Sequence, residues 1–290
     1  MLSAIIPKAL KMRVKHWISW IVEDRLADTP VLKYDPYMPR ETCYAIPKRP
    51  NQDYDKCSSG LPIPPPSLWL RYGNTQEQYL NSGKRHTEAM LELVKLSGFS
   101  LVEGSRILDF GCGSGRMIRH LNHLTDSCEI WGTDISAECI YWCKQYLSPT
   151  FHCATTTTIP HLPFEDRYFN LIYCGSVFTH IDDLADAWLL ELRRVLSPQG
   201  RLYLTIHDQH TSELLDGPQR DERLAGYMKS HEIYNQMRNT SAMLVVGRDS
   251  SSQVFYDIEY FRRHLSHIYD VLSITEEAYG YQTAILVTRK

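Results

Sequence analysis

One turn constrains this chain more than any other feature. The segment Asp109-Phe-Gly-Cys-Gly-Ser-Gly115 stands between a short apolar run, 105–110, and a stretch of helical spacing. Glycines at Gly111, Gly113 and Gly115 let the backbone turn sharply and let a ligand approach without Cβ interference. In doubly wound sheets the first strand-to-helix turn lies at the carboxyl edge, beside the point where strand order reverses and ligands bind. Around it, short apolar runs alternate with helical patterns: strand 105–110, helix 115–124, strand 129–134, helix 136–147, strand 150–153, strand 169–174, helix 182–196 and strand 201–207. The alternation predicts right-handed βαβ units and a mainly parallel sheet, an α/β doubly wound fold. A helical stretch, 211–240, interrupts the series. Helix 257–268 and the runs 271–275 and 282–288 close it, the last two joined through Tyr279-Gly280-Tyr281 as a hairpin.

A glycine-rich turn alone does not name its ligand. The spacing here is GxGxG instead of the GxGxxG of dinucleotide sites, and Asp109 stands at the strand end just before the glycines. A carboxylate there repels a pyrophosphate and favours a cationic, phosphate-free nucleoside such as S-adenosylmethionine, with its sulfonium and ammonium. Asp134, at the end of the next strand, is placed for the ribose hydroxyls. Its competing role is to cap the following helix, which Ser136 serves equally well.

Four segments in order carry a resemblance: Asp109 to Gly115, Thr133-Asp-Ile-Ser136, Leu162-Pro-Phe-Glu-Asp-Arg-Tyr-Phe-Asn-Leu-Ile172 and Arg193-Arg-Val-Leu-Ser-Pro-Gln-Gly200. Together they resemble the successive motifs of class I S-adenosylmethionine-dependent methyltransferases, from about Trp69 to the C-terminus. Asn170 stands where that family commonly has Asp, and Gln199 where it has Gly. The resemblance implies a seven-stranded sheet with a reversed last strand, and S-adenosylmethionine as cofactor. It implies that Asp109, Gly111, Cys112, Gly113 and Gly115 hold the methionine part and that Asp134 and Ile135 meet the ribose side. Thr155 and Thr156 would edge the adenine, and Cys174, Gly175 and Ser176 would line the floor near the sulfonium. Tyr72 and Tyr79 resemble the lid that precedes the glycine loop, where an aromatic face beside a sulfonium is favourable; helix packing is the plain alternative for both.

No Asn/Asp-Pro-Pro-aromatic motif follows the fourth strand, where Cys174-Gly-Ser-Val-Phe178 stands, which argues against a nucleobase or amide acceptor. The run Ser176 to Asp183 resembles small-molecule and glycan-modifying members of the family. The expected reaction is therefore methyl transfer to a small polar acceptor, a hydroxyl of a natural product or glycan. A hydroxyl needs a positioned base, and two strand-end histidines qualify, His180 and His207. A metal-assisted route would draw on Asp182, Asp183 or Asp208 as oxygen ligands. Two other readings stay open: a nucleoside-binding interaction protein without catalysis, and a protein or N-methyltransferase.

The net charge of −3 over 290 residues provides no cationic field for a phosphate backbone, so nucleic acid is not an expected partner. Eight cysteines form no CxxC pair and read as buried thiols of a reducing cytoplasm. Residues 1–67 are expected to form a leader, with an amphipathic helix at 2–26 that gathers Lys8, Lys11 and Lys15 on one side, followed by a proline-rich stretch. That helix fits either packing within the protein or peripheral contact with an anionic inner membrane face. Residues 68–290 are expected to form the main domain, with variable segments at 211–240 shaping the acceptor pocket. Nothing in the sequence sets the oligomeric state.

Overall fold

A computed structural model describes residues 54–218, 221–247 and 252–290. The expected helix at 2–26 lies outside the described residues, as does most of the proline-rich leader. In chain order the main elements are α1 (Gln76–Leu96), β1 (Ser105–Phe110), β2 (Cys128–Asp134), α2 (Ala137–Tyr146), β3 (His152–Thr155), β4 (Phe169–Cys174), α3 (Ala185–Val195) and β5 (Leu196–Ile206). After these come α4 (Gln209–Asp216), α5 (Glu222–Lys229), α6 (Glu232–Met237), β6 (Met243–Val246), β7 (Gln253–Tyr256), α7 (Ile258–Leu265), β8 (Tyr269–Tyr279) and β9 (Gln282–Arg289).

Seven strands form one sheet in the order β3-β2-β1-β4-β5-β9-β8. The first five run parallel, and β9 lies antiparallel between β5 and β8. Strand alternation sorts side chains onto two faces. Ile107, Leu171, Tyr173, Tyr203 and Leu286 join the layer under α2 and the glycine-loop side, while Leu108, Ile172, Leu204 and Val287 face the layer of α3 and α7. The switch of strand order falls between β1 and β4, so the turn after β1 and the turn after β4 open side by side at the carboxyl edge.

Most sequence-predicted elements appear within a few residues. The expected helix at 115–124 does not form as such: with Gly113 and Gly115 at positive φ, the chain leaves the loop in turns and makes only a 3₁₀ helix at Ile118–Leu124. The helical stretch expected at 211–240 is three short helices, α4 to α6, and the β6–β7 hairpin beyond it was not foreseen. These elements close over a small core of their own, which contains Leu215, Met228, Tyr234, Val246 and Phe255. No helix among the described residues is long and apolar enough to cross a membrane.

Helix α1 lies against the exit of the glycine loop, and the contact is closest at Gly83. A Cβ there would overlap the carbonyl oxygen of Arg116. In an exposed helix Gly→Ala stabilises by up to about 1 kcal/mol. Here backbone stands in the way, so Gly83→Ala is expected to destabilise the fold by about 1–2 kcal/mol. Urea unfolding measures the sign, and a stabilised variant would show that α1 does not approach this closely.

Candidate functional site

The loop after β1 is shaped by its own backbone and by the end of β2. Gly111, Gly113 and Gly115 have φ values of +86°, +53° and +82°, which glycine adopts without steric cost. The side chains of Val177 and Leu70 rest against Gly111 and Gly113, where a Cβ would meet them. The Gly111 and Cys112 N–H groups donate to the Thr133 carbonyl at 2.8 and 3.0 Å. The Gly113 N–H donates to Asp134 Oδ2 at 2.7 Å, and the Ser136 N–H donates to Oδ1 at 2.7 Å. Ser136 caps α2 through its own hydroxyl, so helix capping does not occupy the Asp134 carboxylate. Beside it, Ile135 is half-buried, Thr155 is exposed, and the buried Thr156 donates its N–H to the Asp134 carbonyl at 2.9 Å.

Behind the loop, Ser114 Oγ donates to the Leu68 carbonyl at 2.6 Å, so the Tyr79 hydroxyl, 2.9 Å away, donates to Ser114. Tyr79 is fully buried and stacks on Trp69 with centroids 5.5 Å apart. Buried Arg119 ties Gly115 to the leader, donating to the Gly115 carbonyl at 2.9 Å and to the Pro62 carbonyl at 3.0 Å. Three expected contact residues thus take a different place. Tyr79, Cys112 and Cys174 turn their side chains into the packed interior, because alternation and the demand for close packing send them there. Cys112 lies against Gly132, and Cys174 joins the layer with Phe178 and Leu204. Tyr79 still meets the loop through its hydroxyl on Ser114 Oγ.

Asp109 ends β1 with 3% exposure, and its Oδ2 has no hydrogen-bond partner among the described residues. Burial pushes its carboxyl up to about 7, against the pull of the Tyr173 hydroxyl and the Arg116 charge. Arg116, missed by sequence reasoning although it directly follows Gly115, is a buried guanidinium held by neutral groups. It donates to the Tyr279 hydroxyl and to His86 Nδ1 at 3.1 Å, and it lies 3.7 Å over the Tyr72 ring. Burial, and next the Arg116 charge, push His86 down to about 3, so its ring is neutral and accepts at Nδ1. Tyr279 donates to the Tyr72 hydroxyl at 3.0 Å and covers Gly175, where a Cβ would come within 2.6 Å of its ring. Tyr72 is thus held beside the loop exit by Arg116 and Tyr279.

The two histidines flank the same edge. Nδ1 of His180 lies 2.8 Å from the Ser252 carbonyl. A carbonyl only accepts, so Nδ1 carries the proton and Nε2 keeps the lone pair. Burial lowers the His180 pKa, and the Ser252 bond opposes that shift. His207 is 1% exposed, packed 4.8 Å from Phe255 and 5.7 Å from Tyr281, with neither ring nitrogen partnered among the described residues. Burial pushes it down to about 3, with the His180 charge adding to the effect. Asp208 is the N-cap of α4 in a reciprocal capping box with Thr211. Among the described residues no cluster of three His, Cys, Asp or Glu is arranged to hold a metal ion.

A buried carboxyl whose folded pKa exceeds its unfolded value of 3.8 binds its proton more tightly in the folded state. Stability is then unaffected below about pH 4, falls as pH rises towards about 7, and stays low above it, by at most about 4 kcal/mol. Asp109→Asn removes the ionisation. The ligand-free variant is therefore expected to melt higher than the parent at pH 8, with the gap closing by pH 4. A pH-independent difference in Tm would refute a buried Asp109 carboxyl of raised pKa.

The family description "methyltransferase domain" matches residues 108–204. A malonyl-[acyl-carrier protein] O-methyltransferase of Bacillus cytotoxicus is 26% identical over 171 residues, 58% of this chain and 58% of that protein. One of Erwinia billingiae is 33% identical over 117 residues, 39% of this chain and 43% of that protein. The matches thus span about half the length of these curated relatives. Among solved structures, magnesium protoporphyrin IX methyltransferase from Synechocystis with bound S-adenosylhomocysteine shares the fold, at a TM-score of 0.52 and 16% identity, over 77% of this chain and 94% of that one. Residues 108–204 thus match a methyltransferase domain, and the sheet around them has the fold of that solved methyltransferase.

Proposed function

We propose that this chain transfers a methyl group from S-adenosylmethionine to an oxygen of a small polar acceptor, a hydroxyl of natural-product or glycan type. The observation that carries the reading is Asp109: a buried carboxylate oxygen without a partner, beside a loop of three glycines, suits the ammonium of this cofactor and disfavours a pyrophosphate. Asp134, held by two backbone amides, stands beside it with Ile135 for the ribose side, and Thr155 and Thr156 would edge the adenine. When bound, the cofactor supplies an electrophilic methyl on a positively charged sulfur. Gly175 and Ser176 form the floor beneath that position. The names of both relatives given above specify O-methylation, which favours oxygen as the acceptor atom.

His180 is the base of this reading. Its Nε2 would take the proton that the acceptor hydroxyl gives up when the cofactor supplies the methyl group. His207, with its pKa near 3, is mismatched to that task; as a neutral ring it offers one donor and one acceptor to a polar group of the substrate. The protein's net charge of −3 matches a small acceptor better than a nucleic acid.

Calorimetry tests the cofactor assignment. S-adenosylhomocysteine is expected to bind, Asp109→Ala to weaken it by about tenfold or more, and NAD to give no heat; tight NAD binding without response to the adenosyl ligand sinks the reading. With an acceptor in hand, His180→Ala is expected to lower kcat by roughly 10²–10⁴-fold at nearly unchanged cofactor affinity. Wild-type kcat is expected to fall as pH drops through a His180 pKa below 6.5, because protonation removes the lone pair. A kcat within a few-fold of wild type in His180→Ala excludes it as the base.

A further inference from the structure

The ends of β4, β5 and β9 meet in a closed ring of hydrogen bonds that the proposed chemistry does not use. Ser176 follows β4 with φ at +59°, the left-handed region that a serine occupies only when its surroundings enforce it. Its N–H donates to Thr205 Oγ1 at 2.7 Å. That hydroxyl has accepted on one side, so its own proton turns to Gln282 Oε1, also at 2.7 Å. The amide is thereby oriented, and Gln282 Nε2 donates to Ser176 Oγ at 2.8 Å. Ser176 Oγ also lies 3.1 Å from Thr179 Oγ1, within the turn it begins. Thr205, Thr179 and Gln282 are buried, so solvent does not compete for these bonds. Closing the ring requires an acceptor and a donor on one side chain. Glutamate would bring acceptors only, and leucine neither.

What the ring holds matters for the site on both sides. From Ser176 the chain makes one tight turn, with the His180 N–H returning to the Val177 carbonyl at 2.9 Å. Val177 projects onto Gly111 of the glycine loop, and His180 reaches the Ser252 carbonyl on the acceptor side. A left-handed first residue is what lets the turn leave the extended strand in this direction. Returned to an ordinary φ, Ser176 would re-aim both side chains together. We propose that Gln282 is a positioning residue for methyl transfer: from β9 it locks Ser176 in the left-handed conformation, which sets Val177 on the cofactor loop and His180 on the acceptor side in a single register. This rests on the methyl-transfer reading of the same site.

The test is a double-mutant cycle on S-adenosylhomocysteine affinity, read by calorimetry beside thermal unfolding, with wild type, Gln282→Leu, Ser176→Gly and the double variant. In the serine background Gln282→Leu is expected to weaken binding by about tenfold. In the Ser176→Gly background, where glycine takes the left-handed conformation unaided, the same change is expected to cost less than about twofold, although Tm falls in both. Thr205→Val breaks the ring at another corner and is expected to reproduce the pattern, which keeps the test open if Gln282→Leu folds poorly. Equal losses of affinity in both backgrounds mean a merely structural role and overturn the proposal, as does wild-type affinity in Gln282→Leu. If the wild type itself fails to bind S-adenosylhomocysteine, the methyl-transfer reading falls and takes this one with it; if it binds and the cycle shows no coupling, only the lock is wrong.

Discussion

Both oxygens of Asp134 accept backbone amides, one from Gly113 across the loop and one from Ser136 in its own strand-to-helix turn. Three glycines make a turn that is free to adopt many shapes, and glycine loses the most conformational entropy when one shape is imposed. The carboxylate imposes it. Its reach depends in turn on the parallel register of β1 and β2, in which Asp109 pairs with Gly132 and Phe110 with Thr133. Gly132 matters at that point because Cys112 Sγ would stand 2.9 Å from a Cβ there. A one-residue slip between these strands would reverse the faces of β2 and carry Asp134 away from the loop. The site therefore inherits its geometry from sheet packing some distance below it.

Around that loop the protein keeps two buried charges apart. Asp109 and Arg116 lie close enough to influence one another, yet Arg116 is drawn aside by the hydroxyl of Tyr279, the ring of Tyr72 and the neutral nitrogen of His86. A direct ion pair would stabilise the ligand-free fold and leave no carboxylate for a cationic ligand. Separation does the reverse: it leaves the Asp109 carboxylate poorly compensated until something with positive charge arrives. Lower stability at a binding site is a common consequence of preorganisation. The residues that enforce it come from four distant parts of the chain: the segment before α1, α1 itself, the loop exit and the end of β8.

How much of this was legible beforehand follows from what kind of signal each part leaves. The strands 105–110 and 169–174 were readable to the residue because apolar runs between polar turns admit few other structures. The β6–β7 hairpin was not, since strands of four residues are too short to display a period. The segment after Gly115 carried a helical pattern, but the left-handed glycines set its entry and only a 3₁₀ turn fits. At the site, the motif identified the loop and Asp109. It did not reveal which way each side chain points: those of Cys112, Cys174 and Tyr79 are packed in the interior. Arg116, Tyr279 and Gln282 carry no local signature, because their roles exist only through contacts made far along the chain.

The two histidines show the same limit and what lifts it. In the sequence each follows a strand, and the Asp208 beside His207 does not decide between them. The β7 hairpin strand separates them. It runs across the carboxyl edge, with the Val254 N–H on the Thr179 carbonyl at 2.8 Å and the Tyr256 N–H on the His207 carbonyl at 2.9 Å. Just before it, the Ser252 carbonyl fixes the tautomer of His180; within it, Phe255 desolvates His207. One strand thus sets the proton chemistry of both rings. That strand lies beyond the stretch 211–240 expected to shape the acceptor pocket but shares its small core, so the backbone beside that stretch also holds both rings. On the proposed reading, in which His180 is the base, a change in β7 would shift the protonation of both rings as it re-shaped the acceptor side, and specificity and rate would be coupled through the same backbone.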